Sequence, residues 1–146
     1  MAWKIVLSLS IRMLCSCVFV LMAVPKIKDP SWLSVMSVAW LPPGSAWLLG
    51  NVLPWFELSL GLGLLLPSLW RSFARLSAVL LVLFMPVLAV FLLEGRSDCG
   101  CAGPGGLLPS WTSSPVAGLA RNSVMLVILW LALWISRVKM IYPSKN

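Results

Sequence analysis

The segment 73–93, FARLSAVLLVLFMPVLAVFLL, decides the class of fold. A helix needs about 20 mostly apolar residues to cross a hydrocarbon core of roughly 30 Å, and this segment has that length. Three further apolar stretches of similar length lie at 5–24, 46–70 and 116–135. A lone strand cannot satisfy its backbone polar groups in lipid, so each stretch should be helical. The sequence therefore predicts an all-α membrane protein, a four-transmembrane-helix bundle that forms one domain over residues 1–146.

The composition supports this class and excludes others. Hydrophobic residues make up 60% of the chain and charged residues 10%, whereas soluble domains carry about 25% charged residues. The 11 Lys and Arg residues outnumber the 4 acidic ones, but most flank the apolar stretches, which indicates orientation in a lipid bilayer and not nucleic-acid binding. Because the chain has no histidine, haem and the common zinc sites lose their usual ligand, and we predict no metal site.

The distribution of Lys and Arg predicts the orientation. Six of them lie on the side that holds both termini, namely Lys4, Arg71, Arg75, Arg137, Lys139 and Lys145. Three lie on the opposite side, Lys26, Lys28 and Arg96. By the positive-inside rule, both termini should be cytoplasmic and the loop 94–115 periplasmic, in a bacterial inner membrane. The first stretch could instead be a signal peptide, but it contains Arg12 and no A-x-A cleavage pattern follows, so we expect a retained helix.

Two connecting segments have their own signals. Asp29 followed by Pro30 suits a helix start, as cap and first residue. Trp32, Met36 and Trp40 then recur at helical spacing, which predicts a short helix at 31–41 lying in the membrane interface. The loop 94–115 is rich in Gly, Pro and Ser and should be irregular.

The sharpest chemical signal in that loop is a pair of cysteines, Cys99 and Cys101. Two such thiols can close a small disulfide if the turn brings their β-carbons near 4 Å, and Gly100 gives that turn conformational freedom. A tight ring should be more easily reduced than a structural bridge. Arg96 would favour a thiolate nearby, whereas Asp98 would disfavour it or accept a proton. The spacing leaves a redox pair, a static disulfide and two unpaired thiols open.

A second pair, Cys15 and Cys17, lies within the first stretch. Residues two apart on a helix point roughly 200° apart, so these thiols cannot bond to each other without unwinding the helix. We expect them to act as small hydrophobic residues. The alternative is a second redox pair that exchanges electrons with Cys99 or Cys101.

Three ionisable residues lie inside the spans, Arg12, Glu57 and Arg121. Charges inside a membrane usually face the bundle interior and are paired. Arg12 and Glu57 lie about 18 Å and about 16 Å below the outer ends of their helices, which predicts that they pair. The cluster is either an ion-pair clamp that fixes helix packing or a polar floor beneath the cysteine loop, which binds a headgroup, a quinone oxygen or a proton.

Several of these residues occur in a recognisable order: Arg12, Lys26, Asp29-Pro30, Leu53-Pro54-Trp55-Phe56-Glu57-Leu58 with Gly61, Asp98-Cys99-Gly100-Cys101, and Arg121-Asn122. From the first span to the fourth, this order resembles the MauE family of methylamine-utilisation membrane proteins, within the wider DoxX-like group. The chain departs from the family pattern at Ala102, where an aromatic residue usually follows the second cysteine.

The resemblance implies a four-helix membrane fold and a role in forming or handling disulfides in exported proteins, beside a thioredoxin-like partner. In the methylamine system, the client is the disulfide-rich small subunit of methylamine dehydrogenase. By matching position, Cys99 and Cys101 would be the redox pair. The family's intramembrane polar residues would be Arg12, Glu57 and Arg121.

These signals predict a membrane thiol–disulfide oxidoreductase or maturation factor. A partner thiolate would attack the disulfide, and the electrons would pass to a quinone held between the helices or to a soluble partner. One alternative is a non-catalytic assembly factor for a periplasmic enzyme, whose disulfide only shapes a docking loop. The other is a carrier of soft metal ions, like the mercury-uptake membrane proteins, since thiolates favour soft metals.

Overall fold

The computed structural model describes residues 2–29, 32, 45–101 and 110–141. The helices are α1 (Ala2–Lys28), α2 (Ser45–Leu65), α3 (Trp70–Leu93) and α4 (Pro115–Ile141), with a short 3₁₀ helix at Ser110–Ser113. The predicted all-α class is confirmed, since the described ranges contain no strand. Except for Trp32, the predicted interfacial helix at 31–41 lies outside the described residues, and so do the loop residues 102–109.

In the described part of the chain, three of the four α-helices are long and apolar enough to cross a membrane, over Val6–Lys28, Trp70–Leu93 and Pro115–Ser136. Their outer surfaces are apolar: the side chains of Leu83 and Trp130 are each 63% exposed. Soluble proteins rarely expose so large a contiguous apolar surface to water, whereas contact with lipid favours it. The chain is therefore a multi-pass membrane protein in contact with lipid.

Helix α1 runs about one turn further than the apolar pattern predicts, through Pro25 to Lys28. Proline lacks the N–H for one helical hydrogen bond, but membrane helices tolerate this loss. Lys26 lies four residues after Met22 and seven after Phe19, so the three side chains share one face of the helix. All three are buried, and Lys26 is only 6% exposed.

The helices form two close pairs, α1 with α2 and α3 with α4, and the pairs meet through smaller contacts of α2 with α3 and of α1 with α4. At Gly61 of α2, a Cβ atom would lie 3.1 Å from the Cβ of Phe19 and 3.2 Å from the carbonyl oxygen of Ser16. Glycine therefore lets α1 and α2 approach closely, as small residues do between membrane helices. At Gly118 of α4, a Cβ atom would likewise lie 3.2 Å from the side chain of Leu88 in α3.

Candidate functional site

The cysteine turn follows α3 directly. Cys99 and Cys101 are joined by a disulfide, with their Cα atoms 5.2 Å apart. Gly100 between them has a φ of 64°, a conformation that favours glycine, and its N–H donates to the Oδ1 of Asp98 at 2.8 Å. The N–H of Cys99 donates to the carbonyl oxygen of Ser113 at 2.8 Å. Asp98 therefore shapes the turn, and the segment before α4 anchors it.

The two sulfur-bearing residues differ in exposure. Cys99 is 0% exposed and packs in a small core with Leu88 and Phe91. Its Sγ lies 3.7 Å from the position that a Cβ would take at Gly118. Cys101 is partly exposed. A thiolate that approaches from outside the bundle therefore meets Cys101 first.

The disulfide borders an internal cavity of about 50 Å³, which we call the inner cavity. The charged and amide side chains that line it are Lys26, Glu57, Arg121 and Asn122. A buried water needs roughly 10–15 Å³ by this kind of measure, so the cavity has room for a few waters. An engineered cavity that admits benzene measures about 150 Å³, so an aromatic or quinone ring does not fit here.

Within this cavity, Lys26 and Glu57 form a buried ion pair. The Nζ of Lys26 lies 2.9 Å and 2.8 Å from the two carboxylate oxygens of Glu57. Their side chains are 5% and 10% exposed. Trp32 covers the pair, because its Nε1 donates to the carbonyl oxygen of Lys26 at 3.2 Å and its ring centre lies 5.5 Å from the ammonium. The pair links α1 to α2 at the level of the disulfide cavity.

Arg121 supplies a second cation. It is partly buried, and its Nη1 donates to the thioether sulfur of Met22 at 3.3 Å. A thioether is a weak acceptor for a guanidinium, which has five N–H donors and stays protonated. Glu57 also lies within electrostatic reach of Arg121. Two cations and one anion thus line the cavity, and these three side chains leave a single positive charge in excess.

The predicted pair of Arg12 with Glu57 is wrong. Arg12 donates instead to the carbonyl oxygens of Leu64 and Leu65 at the end of α2, at 2.8 Å and 2.7 Å. These carbonyls have no helical partner and attract a cation. Because α1 ends four residues later than predicted, Arg12 lies about 6 Å deeper than the depth argument assumed.

Lys26 carries part of the family resemblance, but sequence reasoning counted it as a residue of the connecting loop and missed its buried pairing with Glu57. A usable signal was present in α1. Buried residues recur along that helix at Cys15, Phe19 and Met22, and Lys26 continues the same spacing of three to four residues. Extending the helix past Pro25 would have placed Lys26 in the interior.

The other predicted residues are placed as follows. Cys15 is buried and Cys17 is exposed, and both are free thiols on different sides of α1, so the structure does not bring them together. Cys15 lines a different space, a groove between α1 and α4. The Nε of Arg96 lies 2.7 Å from the Oε2 of Glu94, and its guanidinium lies 4.7 Å from the ring centre of Phe91. Its influence on the cysteines stays a prediction.

Comparison with known proteins agrees with this architecture. The model of a family described as "Methylamine utilisation protein MauE" matches residues 4–135. The chain is also 37% identical over 83 residues to a protein named "Methylamine utilization protein MauE" from Methylophilus methylotrophus, a match that covers 54% of this chain and 44% of that protein. The chain thus aligns with less than half the length of this relative, and no solved structure matches it. The family match spans most of the chain, from α1 to α4, and the chain belongs to the MauE family.

Proposed function

We propose that this chain is a membrane thiol–disulfide oxidoreductase, a maturation factor that exchanges disulfides with exported proteins through Cys99 and Cys101. One observation carries the proposal: the disulfide borders the inner cavity, where Lys26, Glu57 and Arg121 leave one positive charge in excess. The relative's name adds the context of methylamine utilisation. The client would be a disulfide-containing exported protein, with a thioredoxin-like protein as partner.

The topology in this proposal has four spans. α2 has 21 residues, and at 1.5 Å per residue it is about 31 Å long, enough to cross the hydrocarbon core. Four spans place both termini on one side, and the positive-inside rule makes that side the cytoplasm. The cysteine turn then faces the periplasm, where disulfides form and persist.

The first step is attack by a client thiolate on the Sγ of Cys101, the more accessible sulfur. The bond between Cys101 and Cys99 breaks, a mixed disulfide forms at Cys101, and the electron pair leaves on Cys99 as a thiolate. A second client thiolate then attacks the client sulfur of the mixed disulfide and releases Cys101. The client gains one disulfide, and this chain becomes a dithiol with two more electrons.

The inner cavity favours this step because the leaving thiolate at Cys99 is buried. Burying an unpaired charge in an apolar interior costs roughly several kcal/mol of free energy. The positive excess from Lys26 and Arg121 offsets that charge, so attack takes the cavity from one net positive charge to neutrality. Charged groups that are already in place where a new charge develops stabilise the transition state, and this is usually the largest contribution to rate enhancement.

Alkylation trapping in cells tests the proposal. With Cys99→Ser, the partly exposed Cys101 should accumulate disulfide-linked adducts with its partners, whereas Cys101→Ser, which leaves only the buried thiol, should accumulate far fewer. In the wild type, the fraction of reduced pair should rise when its electron acceptor is withdrawn. A pair that keeps one redox state in every condition would contradict the proposal. Client maturation that survives loss of both cysteines would indicate an assembly factor instead.

A further inference from the structure

A second space lies beside the inner cavity, between α1 and α4. This lateral groove has a volume of about 370 Å³ and an almost wholly apolar lining. It is open to the exterior of the bundle, because Leu14 and Val124 in its walls are 55% and 57% exposed. The exterior at this depth is lipid if the chain spans the membrane. A molecule dissolved in the bilayer can therefore reach the groove from the side.

The groove and the inner cavity share one wall. Val18, Arg121 and Met125 line both spaces. One layer of side chains thus separates the lipid-facing groove from the space that holds the disulfide. Arg121 is the charged member of this layer, and the acceptor of its hydrogen bond is the weak thioether of Met22. Its remaining donors suit an oxygen acceptor that enters through the groove.

We infer that the lateral groove binds an isoprenoid quinone, which accepts the electrons of the reduced Cys99–Cys101 pair. This inference rests on the proposed function, since a chain that oxidises clients needs an acceptor to restore its disulfide. The groove lies within the usual range of small-molecule sites, about 300–1,000 Å³. The inner cavity is too small for the ring, so the ring must approach from the lipid side.

The position of Arg121 favours a quinone over a phospholipid. Arg121 lies about 9 Å from the start of α4, and the groove continues to Ile128, about 20 Å from that start. A phosphate at this depth would have to leave the headgroup layer, at the cost of desolvating a full charge. A neutral quinone brings only a carbonyl oxygen for Arg121, and its isoprenoid tail can occupy the deeper apolar part.

Reoxidation of the reduced cysteine pair needs no reactant besides the quinone. The two thiols of Cys99 and Cys101 lose two electrons and two protons, and the bond between their sulfurs forms. The quinone takes up both electrons and both protons at its two oxygens and leaves as the quinol. Arg121 acts by donating a hydrogen bond to one quinone oxygen, which favours the negative charge that develops there.

The test uses the full-length protein in lipid nanodiscs with two matched variants on α4. Ala120→Phe places a ring in the groove, whereas Ser123→Phe places the same ring on an exposed position that does not line it. The probes are a benzoquinone with one isoprenoid unit and a photoreactive azido form of it. The readouts are the rate at which the quinone reoxidises the pre-reduced pair and the peptides that the photolabel modifies.

We expect the label on α1 and α4 near the groove in the wild type and in Ser123→Phe. Ala120→Phe should lower both the labelling and the rate of reoxidation by about tenfold or more, because the added ring occupies the groove and excludes the quinone. Val124→Phe provides a second filled groove if Ala120→Phe does not fold.

Three outcomes would overturn the inference. Labelling elsewhere with normal reoxidation in Ala120→Phe would move the quinone site. Thiol exchange with a client but no reoxidation by quinone would leave the proposed function intact and remove the acceptor. Displacement of the label by phosphatidylglycerol, without reoxidation by quinone, would make the groove a lipid site. A pair inert to both thiols and quinone would instead contradict the proposed function itself.

Discussion

Replacing Lys26 by methionine removes one partner of the buried ion pair and leaves the carboxylate of Glu57 in the inner cavity. At 2.8 Å and an effective dielectric constant of about 20, the attraction between the two charges is about 6 kcal/mol before desolvation is counted. Breaking such a buried pair costs about 3–5 kcal/mol of stability. Since Arg121 lies within electrostatic reach of Glu57, we expect Lys26→Met to fall at the lower end of that range.

A double-mutant cycle with Glu57→Met isolates the interaction. The double variant replaces both charges by apolar side chains of similar size, a change that is often neutral in buried pairs, so it should recover most of the loss. The measured quantity is the free energy of unfolding of the protein in bicelles. We expect a coupling energy of about 3 kcal/mol between Lys26 and Glu57.

The Glu94–Arg96 pair is a matched control. Its charged atoms lie 2.7 Å apart, almost the same distance, but the side chains of Arg96 and Glu94 are 31% and 40% exposed. An exposed pair should couple by only about 0.2–1 kcal/mol. If the cycle at Lys26 and Glu57 gives no more than this control, the pair is hydrated, and the electrostatic account of the inner cavity fails.

Two further predictions separate packing from chemistry. Arg12→Gln removes the charged donor from the carbonyls of Leu64 and Leu65 and should lower the free energy of unfolding by about 2 kcal/mol, while the reduction potential of the cysteine pair stays unchanged; a shifted potential would connect Arg12 to the site after all. Arg121→Met removes the positive excess of the inner cavity and should slow exchange with a small thiol such as glutathione by about 100-fold, whereas Arg121→Lys should keep most of the rate. The rate of exchange is followed by alkylation and mass spectrometry. Equal rates in the wild type, Arg121→Met and Arg121→Lys would contradict the charge argument.

The sequence predicted the membrane class well and indicated that Cys99 and Cys101 could be joined, because both inferences depend on local signals. Apolar runs of fixed length decide helices in lipid, and the spacing of Cys99 and Cys101 limits how they can be joined. The partner of Glu57 was not predictable in the same way. It depended on where α1 ends, and the helix continues beyond the predicted apolar stretch, through Pro25 to Lys28. Arg12 therefore lies deeper than predicted and contacts the end of α2 in place of Glu57.

The inner cavity also shows why these parts of the chain belong to one site. Lys26 and Glu57 join α1 to α2, while the disulfide follows α3 and is anchored to the segment before α4. Arg121 of α4 lies where the two helix pairs meet. In the proposed exchange, opening the disulfide would place a negative charge from one helix pair against the positive excess that both pairs supply. If the proposed exchange takes place, the release of Cys99 and the packing of the two pairs would be coupled through the same few charges, and the cost of holding those charges in a membrane would be offset when the thiolate forms.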